Sequence, residues 1–288
     1  MRSAYVAGFW GALRRWPFAV LLFAATVAVG FGFAAMAWSW LSISLDSSLA
    51  SRTLLTDLDP NVFIDLFAHH GESFWTLLQG GAVVALVFML FGIWLNAGAV
   101  LAVSGSASAG EALRQGLVLY PIYLRLWVLA TLLDAGAVAG AVCLGRVLHR
   151  WMAESPHEAS AYWAIGAGTA LALIVVPLVT TVHDHARVHC AASGKGALRG
   201  FAWAVWFTLV QERRAVPLTY LLLASGMVIW GAYQGLATFL PATSAAGVVL
   251  SIACGETLLL ARMILRLWTF SAVLTLQQSH NQPTPWHA

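Results

Sequence analysis

Three side chains that could bind a metal ion stand close together in the chain: Asp184, His185 and His189. On a helix, His185 and His189 would share one face, and Asp184 could add a third ligand or orient an imidazole. The alternative is a helix end whose polar groups satisfy carbonyls and meet lipid phosphates. No His-Glu-x-x-His motif accompanies these residues, so we predict no cofactor and keep the metal site as a hypothesis.

Two acidic residues, Asp134 and Glu256, lie inside long apolar stretches. Charges in such stretches are rare and often functional, so both acids could carry protons or bind a cation. Arg125 cannot neutralise Asp134 within one helix, because the spacing puts the two residues on opposite faces. The alternative is that each acid is protonated and hydrogen-bonded to a neighbour such as Gln234, or pairs with a second subunit.

Motifs of the common enzyme classes are missing from the sequence. The single lysine, Lys195, stands in Ser-Gly-Lys-Gly without the first glycine of an ATPase phosphate loop. Ser104 begins a small-residue loop that has no histidine base placed for it, so this serine is not a nucleophile elbow. Catalysis is therefore the weaker hypothesis, and the form that remains is a lipid-modifying enzyme using the histidine and aspartate cluster.

The composition indicates that a lipid bilayer surrounds most of the protein. Hydrophobic residues make up 60% of the 288 residues and charged residues 9%, whereas soluble domains have about 25% charged residues. The net charge of +3 could suggest nucleic acid, but the basic residues flank apolar stretches, where they contact anionic lipid. We therefore predict an integral membrane protein that has membrane lipids as partners and does not bind nucleic acid.

Six apolar stretches are each long enough to cross a hydrocarbon core about 30 Å thick as a helix. They comprise residues 17–40, 75–101, 119–144, 161–182, 216–240 and 245–267. The predicted fold class is therefore all-α, a six-helix membrane bundle in a single domain over residues 1–276. The polar residues 277–288 are predicted to form a disordered cytoplasmic tail.

A short phrase, Ala-Leu-Arg, recurs ahead of the first, third and fifth stretches, at residues 12–14, 112–114 and 197–199. Each copy is followed by a proline that opens an apolar stretch: Pro17, Pro121 and Pro217. The recurrence predicts three pseudo-repeats, about 1–101, 102–182 and 183–276, each an interfacial amphipathic helix followed by a helical hairpin. Over residues 195–212, apolar side chains at helical spacing predict the third interfacial helix.

The basic residues predict the orientation of the protein. Most of the 15 lysines and arginines fall on one side, and the other side keeps Arg52, Arg146 and Arg150. The positive-inside rule then places both termini in the cytoplasm and the protein in the cell inner membrane. Arginines predicted to contact lipid headgroups are Arg14, Arg15, Arg199, Arg213 and Arg214.

The largest predicted external segment comprises residues 41–74 and carries more acidic than basic residues. Asp59 and Pro60 predict the beginning of a helix, and Gly71 predicts its end. We expect a short amphipathic helix on the outer leaflet, either as a cover for the helix ends or as a gate for a substrate.

The Ala-Leu-Arg units and the Asp184-x-Ala-Arg187 end of the fourth stretch resemble a broad set of uncharacterised bacterial six-span inner-membrane proteins. Similar units form the membrane domain attached to some glycerophosphodiester phosphodiesterases. The resemblance implies a membrane module that works with an enzyme or a transporter, and it implies no catalytic residue in this chain. We therefore predict a non-enzymatic transport-associated subunit or membrane scaffold that binds a partner protein or a second copy of itself.

Overall fold

The computed structural model describes residues 2–45, 60–105, 108–152, 159–240 and 245–281. Within these ranges the chain forms α-helices and one π-helical turn, and it contains no strand. In chain order they are α1 (Arg2–Arg14), α2 (Trp16–Leu45), α3 (Pro60–Ser104), α4 (Ala109–Met152), α5 (Ala159–Ser193), α6 (Ala197–Trp206), the π-helical turn (Phe207–Gln211), α7 (Ala215–Ala237) and α8 (Ala245–Asn281). The predicted all-α fold is confirmed.

Six of these helices are long and apolar enough to cross a membrane. Their apolar parts are Trp16–Ile43, Gly71–Ser104, Ala109–Trp151, Ile165–Ser193, Ala215–Ala237 and Ala246–His280. Each contains most of one predicted span, so the chain is a multi-pass membrane protein by the length and composition of its helices. Large apolar side chains such as Trp38 and Trp163 are exposed on them, as a lipid-facing surface allows.

Two helix ends differ from the sequence predictions. Helix α3 begins at Pro60 as predicted, but it continues through Gly71 to Ser104, while Asp59 lies outside the described residues. Helix α4 continues through Pro121, so the second Ala-Leu-Arg copy belongs to its first turns and not to a separate helix. A chain in lipid must satisfy its backbone groups internally, so helices persist there through residues that end them in water.

The last helix also extends beyond its predicted end. We expected disorder from residue 277, but α8 continues to Asn281, and Gln277 is buried and hydrogen-bonded. The buried contacts of this side chain offset the entropy cost of ordering a polar segment. Residues 282–288 lie outside the described part of the chain.

The chain divides into two compact units. The first comprises Met1–Trp16, Ile93–Val228 and Ile264–Ala288, and the second comprises Pro17–Gly92 and Ile229–Met263. The single-domain assignment and the proposed repeat boundaries remain predictions.

All three Ala-Leu-Arg copies lie in the first unit and have the same pattern of burial. The alanines are almost completely buried, and the arginines two residues later are exposed: Ala12, Ala112 and Ala197, and Arg14, Arg114 and Arg199. Two residues correspond to about 200° around a helix, so one face of each segment packs inward while the opposite face carries the charge. The recurring phrase therefore marks the same structural position three times.

Each copy also lies beside a close helix contact made by glycine. A Cβ atom at Gly8 would stand 2.7 Å from Ala272 Cβ, and one at Gly116 would stand 2.9 Å from the backbone nitrogen of Gly98. A Cβ atom at Gly200 would collide with Cys190 Sγ. The three segments thus pack against the late turns of α8, α3 and α5 respectively. Gly116 thus contacts a residue of the first predicted repeat, Gly8 contacts a residue of the third, and Gly200 contacts a residue of its own predicted repeat, 183–276.

In the second unit, α2 packs against α3. Trp40 Nε1 donates a hydrogen bond of 3.0 Å to Ser73 Oγ, and the rings of Trp40 and Phe74 lie 5.5 Å apart. Two successive glycines, Gly80 and Gly81, face the side chains of α2 at this contact. Small residues let two membrane helices approach closely, which is how helices associate when lipid offers no hydrophobic driving force.

Candidate functional site

The end of α5 is unusual because it is buried on every side although it is rich in polar residues. Residues 181–188 are all buried, and they include Asp184, His185 and Arg187. A helix with buried polar side chains all round must find partners for them on neighbouring elements. This segment is the polar centre of the first unit.

Asp184 is held by two arginines. Arg187, one turn later on the same helix, donates from Nη1 to Asp184 Oδ1 at 3.2 Å. Arg266 of α8 donates with both terminal nitrogens, at 3.0 Å to Oδ1 and 3.2 Å to Oδ2. The side chains of Asp184 and Arg187 are 4% and 7% exposed, whereas that of Arg266 is 31% exposed. A two-pronged arginine contact of this kind fixes the orientation of both helices.

Further contacts bring α3 and α4 into the same arrangement. Arg266 Nε donates to Asn96 Oδ1 at 3.2 Å, and its guanidinium lies 4.3 Å from the centre of the Phe270 ring. The buried Tyr123 donates its hydroxyl proton to the backbone carbonyl oxygen of Arg187 at 3.0 Å. We call Asn96, Tyr123, Asp184, Arg187 and Arg266 the ion cluster. It joins α3, α4, α5 and α8.

The ion cluster carries more positive than negative charge. Two guanidinium groups meet one carboxylate, so one positive charge is unmatched within the cluster. Nε of Arg187 and Nε2 of His183 are buried without a hydrogen-bond partner among the described residues. Buried arginines need their counter-ion, because an uncompensated charge in a low-dielectric interior is costly. Asp184 is therefore the residue on which the arrangement depends.

His185 faces a different partner. Its Nδ1 lies 3.1 Å from Nε2 of Gln277, and that same amide nitrogen donates to the His185 backbone carbonyl at 3.0 Å. An amide nitrogen only donates, so Nδ1 is placed as the acceptor in this contact, and Nε2 of His185 is a buried atom with no hydrogen-bond partner among the described residues. The histidine is thus fixed to the end of α8.

The ring of His189 lies at the end of an aromatic stack. Its ring lies 3.8 Å from that of Trp203 at an interplanar angle of 11°, and Trp203 stacks on Phe207 at 4.8 Å. The described residues contain no group of three or more His, Cys, Asp or Glu side chains that could hold a metal ion. Asp184 binds two arginines, His185 contacts the amide of Gln277, and His189 stacks on the indole of Trp203. The metal hypothesis therefore gains no support from this arrangement.

The predicted intramembrane residues are distributed over both compact units. Asp134 belongs to the first unit and Glu256 to the second. Within the described part of the chain, Oδ1 of Asp134 and Oε2 of Glu256 are buried atoms without a hydrogen-bond partner. Arg125 and Gln234 are exposed. Proton or ion handling by Asp134 and Glu256 remains a prediction, as does a hydrogen bond from Gln234 to either acid.

The arginines predicted to meet lipid are at the surface. Arg14, Arg199, Arg213 and Arg214 are exposed, which headgroup contact requires. Arg15 is partly buried and donates to the backbone carbonyl of Gly105. Headgroup contact by all five residues stays a prediction.

Sequence reasoning missed the main partner of Asp184. Arg266 lies inside the sixth predicted stretch with an apolar residue on either side of it, but the predicted intramembrane residues do not include it beside Asp134 and Glu256. That position was the available signal, because a charge between apolar neighbours in a membrane helix usually has a partner. Tyr123 and Gln277 gave no comparable signal.

No protein-family model, no curated protein and no solved structure matches this chain. The family resemblance drawn from the Ala-Leu-Arg units therefore remains an expectation from the sequence.

Proposed function

We propose that this multi-pass membrane protein is a non-enzymatic scaffold of the cell inner membrane, with both termini in the cytoplasm. The observation that carries the proposal is the binding of Asp184 by Arg187 and Arg266. In this arrangement Asp184, Arg187 and Arg266 bind one another, so the carboxylate is not free to act on a substrate. A scaffold holds its helices in a fixed arrangement and presents the outer faces to a partner protein or to a second copy of the chain.

The contacts around the ion cluster support a structural role. An active site needs a nucleophile or base that can reach a substrate, with a second group to orient it. Here the carboxylate is bound by two guanidinium groups, and Nδ1 of the adjacent His185 is bound by Gln277. The contacts of Asp184 and of His185 Nδ1 therefore support a structural role for these two residues.

Site-specific photo-crosslinking in cells tests this proposal. A photoreactive amino acid is introduced at exposed apolar positions of the first unit: Leu198, Trp206 and Leu209. We expect a discrete adduct, either with a second copy or with one partner protein, and we expect Asp184→Asn to remove that adduct.

An enzyme assay provides the opposing result. The purified protein is incubated with vesicles of bacterial lipid, and the lipids are analysed by mass spectrometry. Conversion of a lipid that is lost in Asp184→Asn and in His185→Ala would overturn the scaffold assignment in favour of the lipid-modifying enzyme.

A transport-associated subunit is the second candidate, and one observation favours it. Asp134 and Glu256 each have a buried carboxylate oxygen with no partner among the described residues, as a proton-carrying side chain would. In liposomes with an internal pH indicator, this candidate requires proton flux that Asp134→Asn abolishes. The control is Glu111→Gln, which changes an exposed acid on the same helix. Equal flux in both variants would remove Asp134 from any transport mechanism.

A further inference from the structure

A cavity of about 630 Å³ lies between α4 and the beginning of α6, within the first unit. One wall is a face of α4 with residues four apart along the helix, and the other is the first turn of α6. Its principal lining residues are Leu124, Arg125, Val128, Leu129, Leu198 and Arg199. We call this cavity the arginine groove.

The arginine groove has an amphiphilic lining. The leucines and Val128 form an apolar wall, and Arg125 and Arg199 add two positive charges. No acidic side chain contributes to the lining as far as the structure describes it, and neither arginine forms an ion pair there. This lining is complementary to a ligand that combines a negatively charged group with a hydrocarbon chain.

The beginning of α6 adds to this electrostatic match. The residue before the helix is Gly196, and no side chain caps the helix there. The first backbone N–H groups of a helix have no intrahelical partner and favour anions. They stand on the same wall as Arg199.

We infer that the arginine groove binds one anionic phospholipid, with its phosphate at Arg125 and Arg199 and an acyl chain along the α4 wall. Charge complementarity favours this occupant over a zwitterionic lipid, and the apolar wall favours it over a free anion. Arginine also suits phosphate because its planar fork can donate two hydrogen bonds at once. The inference gives a role to Arg125, a charge in a membrane helix that the ion cluster does not use, and it does not depend on the scaffold proposal.

Native mass spectrometry of the protein in a nonionic detergent tests this inference. The protein is titrated with phosphatidylglycerol and, separately, with phosphatidylcholine of the same acyl composition. We expect one phosphatidylglycerol to be retained with at least about tenfold higher affinity than phosphatidylcholine, because each basic residue near a headgroup favours an anionic lipid appreciably. Equal retention of the two lipids by the unaltered protein would overturn the inference, whatever the variants do.

Matched variants then locate the site. In R125Q/R199Q we expect the ratio of the affinity for phosphatidylglycerol to that for phosphatidylcholine to fall at least about tenfold. The control is R146Q/R150Q, which removes the same charge from exposed residues of α4 outside the groove and should keep the preference. Equal losses in the two variants would mean that net charge, and not the groove, holds the lipid, and this result would also overturn the inference.

Discussion

Substitution of Asp184 by asparagine is the most direct test of the ion cluster. The change keeps the size of the side chain but removes the negative charge between Arg187 and Arg266. Removing one partner of a buried ion pair costs about 3–5 kcal/mol. Arg187 is almost fully buried and bears this cost, whereas Arg266 is about one-third exposed and can regain some hydration. We therefore expect a loss near the lower limit, about 3 kcal/mol.

Thermal unfolding in detergent, followed by tryptophan fluorescence and by circular dichroism, measures this loss. At roughly 2 °C per kcal/mol for a chain of this size, Asp184→Asn should lower the unfolding midpoint by about 6 °C. The matched control is Glu111→Gln, because Glu111 forms an exposed ion pair with Arg114 on α4. Exposed pairs contribute little to stability, so the control should unfold at the wild-type temperature.

A triple variant separates the cost of unpaired charge from the loss of a contact. In D184L/R187M/R266M all three charges are replaced by apolar side chains of similar size. Such replacements are often neutral or stabilising, so this variant should unfold at a higher temperature than Asp184→Asn. The reasoning would be refuted if the unfolding midpoint of Asp184→Asn lay within about 1 °C of the wild-type midpoint. It would also be refuted if the triple variant unfolded at a lower temperature than Asp184→Asn.

Three further predictions concern the contacts around the ion cluster. Tyr123→Phe removes the hydrogen bond from the hydroxyl to the carbonyl of Arg187, which keeps its helical donor, and should cost about 1 kcal/mol in the same unfolding assay; an unchanged midpoint would contradict the hydrogen bond. Gly200→Ala should destabilise the protein because its Cβ would collide with Cys190, and adding Cys190→Ala should restore most of the loss. Removing residues 277–288 should lower the unfolding midpoint at least as much as Gln277→Ala does, because it also removes His280, whose ring packs on Phe207; a smaller effect of the truncation would contradict these contacts.

The predictability of the site differed from one residue to another. Asp184 was identified from the sequence because it stands beside two histidines at helical spacing, a pattern that suggested a metal ligand. Its actual partner, Arg266, lies 82 residues away along the chain, and nothing in the local pattern connects them. Residue type showed that Asp184 was unusual, and only the packing of α5 against α8 showed what it binds.

Local spacing also explains the misplaced helix ends. Glycine and proline often interrupt helices in water, where the freed backbone groups can be hydrated. The sequence therefore predicts a helix end at Gly71 and a separate interfacial helix ahead of the span that contains Pro121. Both residues lie inside continuous helices. Rules calibrated on water-exposed helices overestimate how often glycine and proline interrupt helices that lipid surrounds.

The sequence by itself determined the six apolar helices and the three equivalent Ala-Leu-Arg positions, because both follow from hydropathy and spacing along one stretch of chain. The tertiary structure decided which buried polar groups meet and which helix each Ala-Leu-Arg segment packs against. The ion pair of Asp184 with Arg266 joins residues 82 positions apart, and only side-chain packing between helices selects it.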